Sequence, residues 1–149
     1  MTGVSPKRRV VLDTNVFVSS LFSRTGTPNA VVRACFQGDL LLVVSDEQRA
    51  ELDDVLQRPQ ILSHARLTIR DIADLNALIQ SAELIEDAQT SIVVRDAKDQ
   101  PNVAAALRAS VDFLVTGDAD LLVLADDPRI PPLRIVTPRA FLTELGLEA

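Results

Sequence analysis

Residues 9–15 carry the sequence Arg-Val-Val-Leu-Asp-Thr-Asn, and a second apolar run, Val-Phe-Val, follows at 16–18. The pattern predicts a buried strand over 9–13 and a short helical segment over 15–21. The carboxyl ends of the strands in an open α/β sheet form the edge where ligands and catalytic groups collect. A strand-end carboxylate has no packing role there, so Asp13 is the first candidate functional residue.

Two further apolar segments also deliver polar side chains at their carboxyl ends. Residues 40–44, Leu-Leu-Leu-Val-Val, predict a strand buried on both faces that leads into Ser45. Residues 112–116 predict another strand, which ends at Thr116 and is followed by Asp118. In a parallel sheet these ends share one edge. The pattern leaves the order of the strands open.

The rest of the chain alternates helical and extended patterns. Thr27-Pro28 predicts the N-cap and first residue of a helix that closes near Gly38. Ser45 predicts the cap of a helix to about Gln57, with Gln48 completing a capping box. The remaining predicted elements are a helical turn over 60–66, a helix from Thr68 with Asp71 in its first turn, a strand over 82–85, a loop over 87–98, an alanine-rich helix over 103–109, a short helix over 117–125, a strand over 134–136, and a helix from Thr137-Pro138 to Gly146.

This alternation predicts an α/β fold, a three-layer α/β/α sandwich with a mainly parallel central sheet. The 149 residues, 47% apolar, predict a single domain over 1–149 with an ordered core of about 8–146. Cys35 is the sole cysteine and is expected in the core. The sequence has neither a signal-peptide pattern nor a long apolar run, so we expect a soluble cytoplasmic protein without a membrane span.

The composition bears on nucleic-acid binding in two ways. A net charge of −6 argues mildly against a nucleic-acid partner, unless clustered acids hold divalent cations. The chain has no Trp or Tyr and only five Phe, which leaves few residues for base stacking. Any polynucleotide is therefore expected to be held by its backbone rather than by its bases.

Acidic residues approach the predicted sheet edge from four segments of the chain. They are Asp13, Glu51, the pair Asp96 and Asp99, and the pair Asp118 and Asp120. Clustered carboxylates repel one another, and a hard cation such as Mg²⁺ or Mn²⁺ removes the conflict. Such a site can activate water and support in-line attack on phosphorus.

A structural alternative exists for most of these acids. Asp118 and Asp120 can cap a helix, Glu51 can lie on a solvated helix face, and Asp96 and Asp99 can serve as helix-start charges. Arg95 and Lys98 border the acids and can grip a substrate phosphate or remain solvated loop charges. His64 is predicted at the surface and not as a general base.

Four segments resemble the PIN-domain family. They are Val-Leu-Asp13-Thr14-Asn15, Ser45 with Glu51-Leu52, Asp96-Ala-Lys-Asp99 before Ala104-Ala105-Ala106-Leu107, and Leu-Val-Thr116-Gly117-Asp118-Ala-Asp120-Leu. Their order and spacing agree over roughly residues 9–142. The chain is most similar to the toxin components of prokaryotic toxin–antitoxin (VapC-like) systems.

The resemblance implies a ribonuclease that depends on Mg²⁺ or Mn²⁺ and leaves a 5′ phosphate. It implies catalytic acids at Asp13, Glu51, Asp99 and Asp118, with Asp120 and Asp96 as further metal-site acids. It implies positioning roles for Asn15, Thr116 and Ser45 around the cluster, although Asn15 and Thr116 can equally be backbone caps. It also implies an RNA substrate, a homodimer and a small antitoxin partner.

Two other functions remain open from the sequence. A strand followed by Asp13-x-Asn15 is similar to haloacid-dehalogenase-type phosphatases, but those usually carry a second Asp where this chain has Asn15. A PIN-like fold can also serve as a non-catalytic binding module whose acids are unused.

Overall fold

A five-stranded parallel sheet is the framework of the fold. The structure is a computed structural model and describes residues 7–64, 67–86, 92 and 100–147. The strands are β1 (Arg8–Leu12), β2 (Leu40–Ser45), β3 (Glu83–Ile85), β4 (Phe113–Val115) and β5 (Arg134–Val136). Each neighbouring pair is parallel, in the order β3-β2-β1-β4-β5. The predicted parallel sheet is therefore confirmed, and the structure supplies its strand order.

Helices connect the strands. They are α1 (Thr14–Phe22), α2 (Thr27–Phe36), α3 (Asp46–Leu56), α4 (Pro59–Leu62), α5 (Ile69–Ser81), α6 (Gln100–Arg108), α7 (Ala119–Leu122) and α8 (Pro138–Leu145), with a 3₁₀ turn at Val123–Asp126. Over the described ranges, no helix combines the length and apolar character needed to cross a membrane.

Two hydrophobic clusters cover the two faces of the sheet. Successive side chains of a strand point to opposite faces, so Val10 and Leu12 of β1 join one cluster and Val11 joins the other. Helices α1, α2, α3, α5 and α8 pack in the first cluster, and α6 and α7 pack in the second. This arrangement confirms the predicted three-layer α/β/α sandwich.

The central position of β1 creates the edge that matters for function. The chain runs outward from β1 through β2 to β3, and then returns to the other side of β1 as β4. The strand order therefore reverses between β1 and β4, which is where open α/β sheets bind ligands. Leu12 is in register with Val115, and the Asp13 N–H donates to the Val115 carbonyl at 2.9 Å.

Every described predicted element is present, and most of the boundaries shift by one to three residues; α6, for example, begins at Gln100 rather than at residue 103. The helix predicted to start at Thr68 does so, and Thr68 and Asp71 form a capping box there. The first strand ends at Leu12 rather than at residue 13, because Asp13 caps α1. The N-cap of α2 is Gly26 rather than Thr27, since the Gly26 carbonyl already accepts the helical hydrogen bond from Ala30.

The middle of the chain is described in part. The predicted helical turn over 60–66 appears as α4, which ends at Leu62; residues 65 and 66 lie outside the described residues. The predicted loop over 87–98 also lies outside them, except for Ile92, which is buried.

Candidate active site

Asp13 lies at the junction of β1 and α1 and is 2% exposed. It is the N-cap residue of α1, and its Oδ1 accepts a hydrogen bond from the Asn15 N–H at 3.5 Å. Its Oδ2 accepts from the Thr116 hydroxyl at 2.7 Å. The same carboxylate thus caps a helix and presents oxygens at the switch point of the sheet.

The surroundings of Asp13 oppose its ionisation. Burial raises the pKa of the carboxyl, while the hydrogen bonds from Thr116 and from the Asn15 N–H lower it and the charge of Asp118 raises it further. Burial is the largest of these effects, so the net shift is upward. A cation beside Asp13 would reverse this balance by stabilising the carboxylate.

Thr116 links the two strand-end acids. It is fully buried, and its Oγ1 donates to Asp13 and accepts from the Asp118 N–H at 3.0 Å. Asp118 is the N-cap residue of α7, and its Oδ1 accepts from the Asp120 N–H at 2.8 Å. One hydroxyl therefore fixes the Asp13 side chain and the backbone that carries Asp118.

A cleft of about 500 Å³ opens in front of this pair. Glu51, half-buried on α3, faces the same cleft as Asp13 and Asp118. The described residues that line the cleft are Asp13, Thr14, Asn15, Val18, Glu51, Val55, Arg58, Gln60, Ile61 and Asp118. The sequence pattern had not singled out Arg58 or Gln60, which reach the cleft from the corner between α3 and α4.

The donor set of the cleft suits a hard cation. Asp13, Glu51 and Asp118 offer carboxylate oxygens, which Mg²⁺ and Mn²⁺ prefer. Within the described ranges, no three His, Cys, Asp or Glu side chains form a group able to hold an ion. The predicted acids Asp96 and Asp99 and their neighbours Arg95 and Lys98 lie outside those ranges.

Gln48 is a buried site residue whose role the sequence did not predict. The Gln48 N–H donates to Ser45 Oγ at 2.9 Å, so Ser45 does cap α3. The side chain, 2% exposed, does not complete the capping box. Its Nε2 donates to the Leu12 carbonyl at 2.6 Å and lies 3.5 Å from Thr14 Oγ1. The predicted box is wrong because the end of β1 offers the amide a buried acceptor.

The Gln48 contact joins α3 to the turn that carries Asp13. Ser45, predicted to lie around the cluster, caps α3 by accepting the hydrogen bond from the Gln48 N–H. Gln48 Oε1 is buried and has no hydrogen-bond partner among the described residues. A Gln in the first turn of a helix that leaves a buried strand was the sequence signal for this contact.

Three other predicted residues take definite places. Asn15 contacts Asp13 through its backbone N–H, while its side chain is exposed in the cleft. Asp120 contacts Asp118 through its backbone N–H and is half-buried. His64 is half-buried rather than at the surface, since its ring packs edge-on against Phe22 with centroids 4.7 Å apart.

The fold and the strand-end carboxylates define an α/β protein with an acidic site at its topological switch point. The sequence profile of the PIN domain family matches residues 9–120. The chain therefore belongs to the PIN domain family, and the predicted resemblance is confirmed. PIN domains are generally nucleases, so membership supports a nuclease-type function.

Relatives cover most of the chain. It is 26% identical over 143 residues to the uncharacterized protein MJ1680 of Methanocaldococcus jannaschii, covering 93% of this chain and 92% of that protein. The fold is similar to a chain of VapBC2 from Rickettsia felis bound to a promoter DNA fragment (TM-score 0.52, 15% identity, 87% of this chain and 98% of that one). A match to the PIN domain endonuclease Utp24 has a TM-score of 0.46 at 15% identity, over 87% of this chain and 84% of that one.

Proposed function

We propose that this protein is an endoribonuclease that depends on Mg²⁺ or Mn²⁺ and hydrolyses RNA phosphodiester bonds. We further propose that it is the toxin component of a toxin–antitoxin pair. The observation that carries the nuclease proposal is the Thr116 hydroxyl, which joins Asp13 to Asp118 at the edge of a cleft that Glu51 also faces. Family membership supports it, and the dehalogenase-type alternative loses its basis.

Asp13, Glu51 and Asp118 would each contribute a carboxylate to a cation site that these three do not complete by themselves, with Asp99 as the fourth acid that the family resemblance implies. A bound dication would lower the pKa of a water molecule and offset the charge that develops on the phosphate. Thr116 keeps Asp13 Oδ2 oriented by donating to it. Gln48 holds the backbone immediately before Asp13, so the acids are positioned before substrate arrives.

RNA cleavage with a matched pair of variants tests the activity. A panel of RNAs is incubated with wild-type protein in Mn²⁺, in Mg²⁺ and in EDTA, alongside Asp13→Asn and Asp118→Asn. We expect metal-dependent cleavage by the wild type and a loss of at least about a hundredfold in each variant, the size typical for an essential site group.

The control is Asp112→Asn, which removes an exposed carboxylate whose Oδ2 accepts from the Arg9 N–H and which does not line the cleft. It should cleave at the wild-type rate. Cleavage in EDTA, or equal turnover by wild type and Asp13→Asn, would rule out the proposed chemistry.

The binding-module alternative makes the opposite prediction for metal. It is favoured by the observation that the described residues contain no ready three-ligand group. Titration of Mn²⁺ into wild-type protein by calorimetry should show binding that is weakened in Asp13→Asn. Identical heats for the two proteins at millimolar Mn²⁺ would favour a non-catalytic module.

The partner proposals are a homodimer and a small antitoxin. Two apolar segments are candidates for the contacts: residues 31–36, of which four are buried, and residues 72–79, of which only Leu75 and Ile79 are buried. Val32, Phe36 and Leu75 line one groove of about 440 Å³ between α1, α2 and α5. Phe36 is 48% exposed there and supports an antitoxin contact at this groove. Light scattering on the purified chain tests the dimer.

A further inference from the structure

Arg58 stands at the corner where α3 passes into α4, on the wall of the acidic cleft. Its N–H donates to the Val55 carbonyl at 3.1 Å, and its carbonyl accepts from the Ile61 N–H at 2.9 Å. Pro59 follows it and favours the extended conformation that Arg58 adopts, with φ −66° and ψ 142°. The backbone that carries this side chain is therefore fixed relative to the cleft.

The guanidinium of Arg58 is exposed to solvent, and an ion pair with Asp54 is its contact in the structure. It forms an ion pair with Asp54 at 3.0 Å, and the two side chains are 52% and 72% exposed. Exposed ion pairs contribute little stability, so Asp54 orients the group without withdrawing it from other acceptors. A phosphate can accept two parallel hydrogen bonds from a guanidinium and is the stronger partner.

The distribution of charge in the cleft indicates that Arg58 faces a phosphate of a bound strand. Asp13, Glu51 and Asp118 make one side acidic, whereas Arg58 is the lining residue of positive charge among those described. Apolar side chains, Val18, Val55 and Ile61, also line the cleft. A strand whose reacting phosphate lies at the acids carries another phosphate one nucleotide away, and a protein cation that neutralises that phosphate strengthens binding.

We propose that Arg58, with the side-chain amide of Gln60, which lines the same cleft, binds a phosphate that flanks the scissile phosphate of a single-stranded nucleic acid. The proposal rests on the proposed nuclease function and adds a substrate-positioning subsite to it. The apolar side chains would lie against the intervening ribose, which carries no charge. Such a subsite positions the strand without reading its bases.

The salt dependence of binding measures this contact. Binding of a short fluorescein-labelled single-stranded RNA is followed by anisotropy over a range of KCl concentrations with Mg²⁺ present. The Asp118→Asn protein serves as a non-cleaving parent. Adding Arg58→Gln should reduce the slope of log Kd against log[KCl] by about 0.7, the value for one phosphate contact in a single strand.

Arg129→Gln is the matched control. Arg129 is 57% exposed, pairs with Asp127 at 2.7 Å and does not line the cleft. The Arg129→Gln substitution therefore removes the same charge and the same type of ion pair as Arg58→Gln does, but away from the cleft. Its slope should equal that of the parent. Arg58→Lys should retain the slope while losing part of the affinity, which separates charge from any folding defect.

RNAs with a single neutral methylphosphonate linkage locate the phosphate. A series of RNAs carries this neutral linkage at successive positions. At one of these positions it should weaken binding to the parent protein, and at the same position it should leave binding to the Arg58→Gln protein unchanged. An unchanged salt slope in Arg58→Gln, or an equal drop in Arg129→Gln, would overturn the subsite while wild-type cleavage still supported the nuclease. Failure of the wild type to bind or cleave RNA would overturn both.

Discussion

Thr116 connects the two strand-end acids of the candidate site. It is fully buried and serves two acids, as donor to the Asp13 carboxylate and as acceptor for the Asp118 N–H. A side chain that lacks a hydroxyl would leave a buried carboxylate and a backbone N–H without these partners. A buried group that loses its hydrogen bond costs more than the bond itself contributed.

Thr116→Val therefore should lower the free energy of unfolding by about 1–3 kcal/mol and abolish cleavage. Thr116→Ser keeps the hydroxyl and should retain most of the activity, with a smaller loss of stability from the missing methyl group. Urea denaturation and RNA cleavage measure the two effects. Equal behaviour of the Val and Ser variants would contradict a role for the hydroxyl.

Asp13 gives a pH-dependent prediction for the metal-free protein. Because burial raises the pKa of Asp13 above 3.8, the folded chain holds this proton more tightly than the unfolded chain. Its contribution to the free energy of unfolding therefore falls as pH rises from about 3.8 through the raised pKa, and the cost persists at neutral pH. Asn can still cap α1 without the charge.

We expect Asp13→Asn to be at least as stable as wild type at neutral pH in EDTA. The stability difference between the two proteins should grow with pH through that window and then level off. Urea denaturation over a pH series in EDTA checks this. A variant that is less stable by the same amount at every pH would contradict it.

Cys35 should behave as an inert core residue. It is 6% exposed in the cluster that covers one sheet face, and burial raises the pKa of its thiol to about 12. Native protein at pH 8 should react with a disulfide reagent far more slowly than protein unfolded in urea. Rapid labelling of the native protein would show that α2 opens locally.

At the scale of elements, helix caps show which contacts depend on neighbouring residues and which depend on distant ones. The capping box of α5 joins Thr68 to Asp71, three residues apart, and both hydrogen bonds measure 3.1 Å. The same sequence pattern at α3 forms half a box, because the Gln48 amide contacts Leu12, which is 36 residues away. A cap is predictable when its partners are neighbours and no buried acceptor competes.

Thr68→Ala should therefore lower the free energy of unfolding by about 1 kcal/mol, the usual value for an N-cap. Thr143→Ala is the control, since Thr143 is exposed on α8 and is not a capping residue. It should be neutral or slightly stabilising because Ala favours helix. Denaturant midpoints of both variants decide the comparison, and equal midpoints would contradict the cap.

The charge of the whole molecule sets a condition on substrate binding. The chain carries a net charge of −6, and the cleft presents three acids to any phosphate that enters. Removal of divalent metal should therefore weaken RNA binding as well as stop cleavage.

We expect RNA affinity at matched ionic strength to fall at least about tenfold when EDTA replaces Mg²⁺, because the field at the cleft then repels phosphate. Anisotropy with the non-cleaving Asp118→Asn protein measures this. Equal affinity with and without metal would show that the strand binds elsewhere.

The sequence by itself determined the elements and the candidates. Alternating apolar runs specify strands and helices locally, and carboxylates at strand ends identify Asp13 and Asp118 without knowledge of the fold. The motifs also sufficed to predict membership of the PIN domain family.

Tertiary structure alone decided which residues meet. The strand order places β4 beside β1, so that Thr116 contacts Asp13 across 103 residues, and α3 turns Gln48 toward the end of β1. Arg58 joined the cleft for the same reason, through the corner between α3 and α4. Local preferences fix the direction of a chain over a few residues, whereas contacts between distant segments depend on how the layers pack.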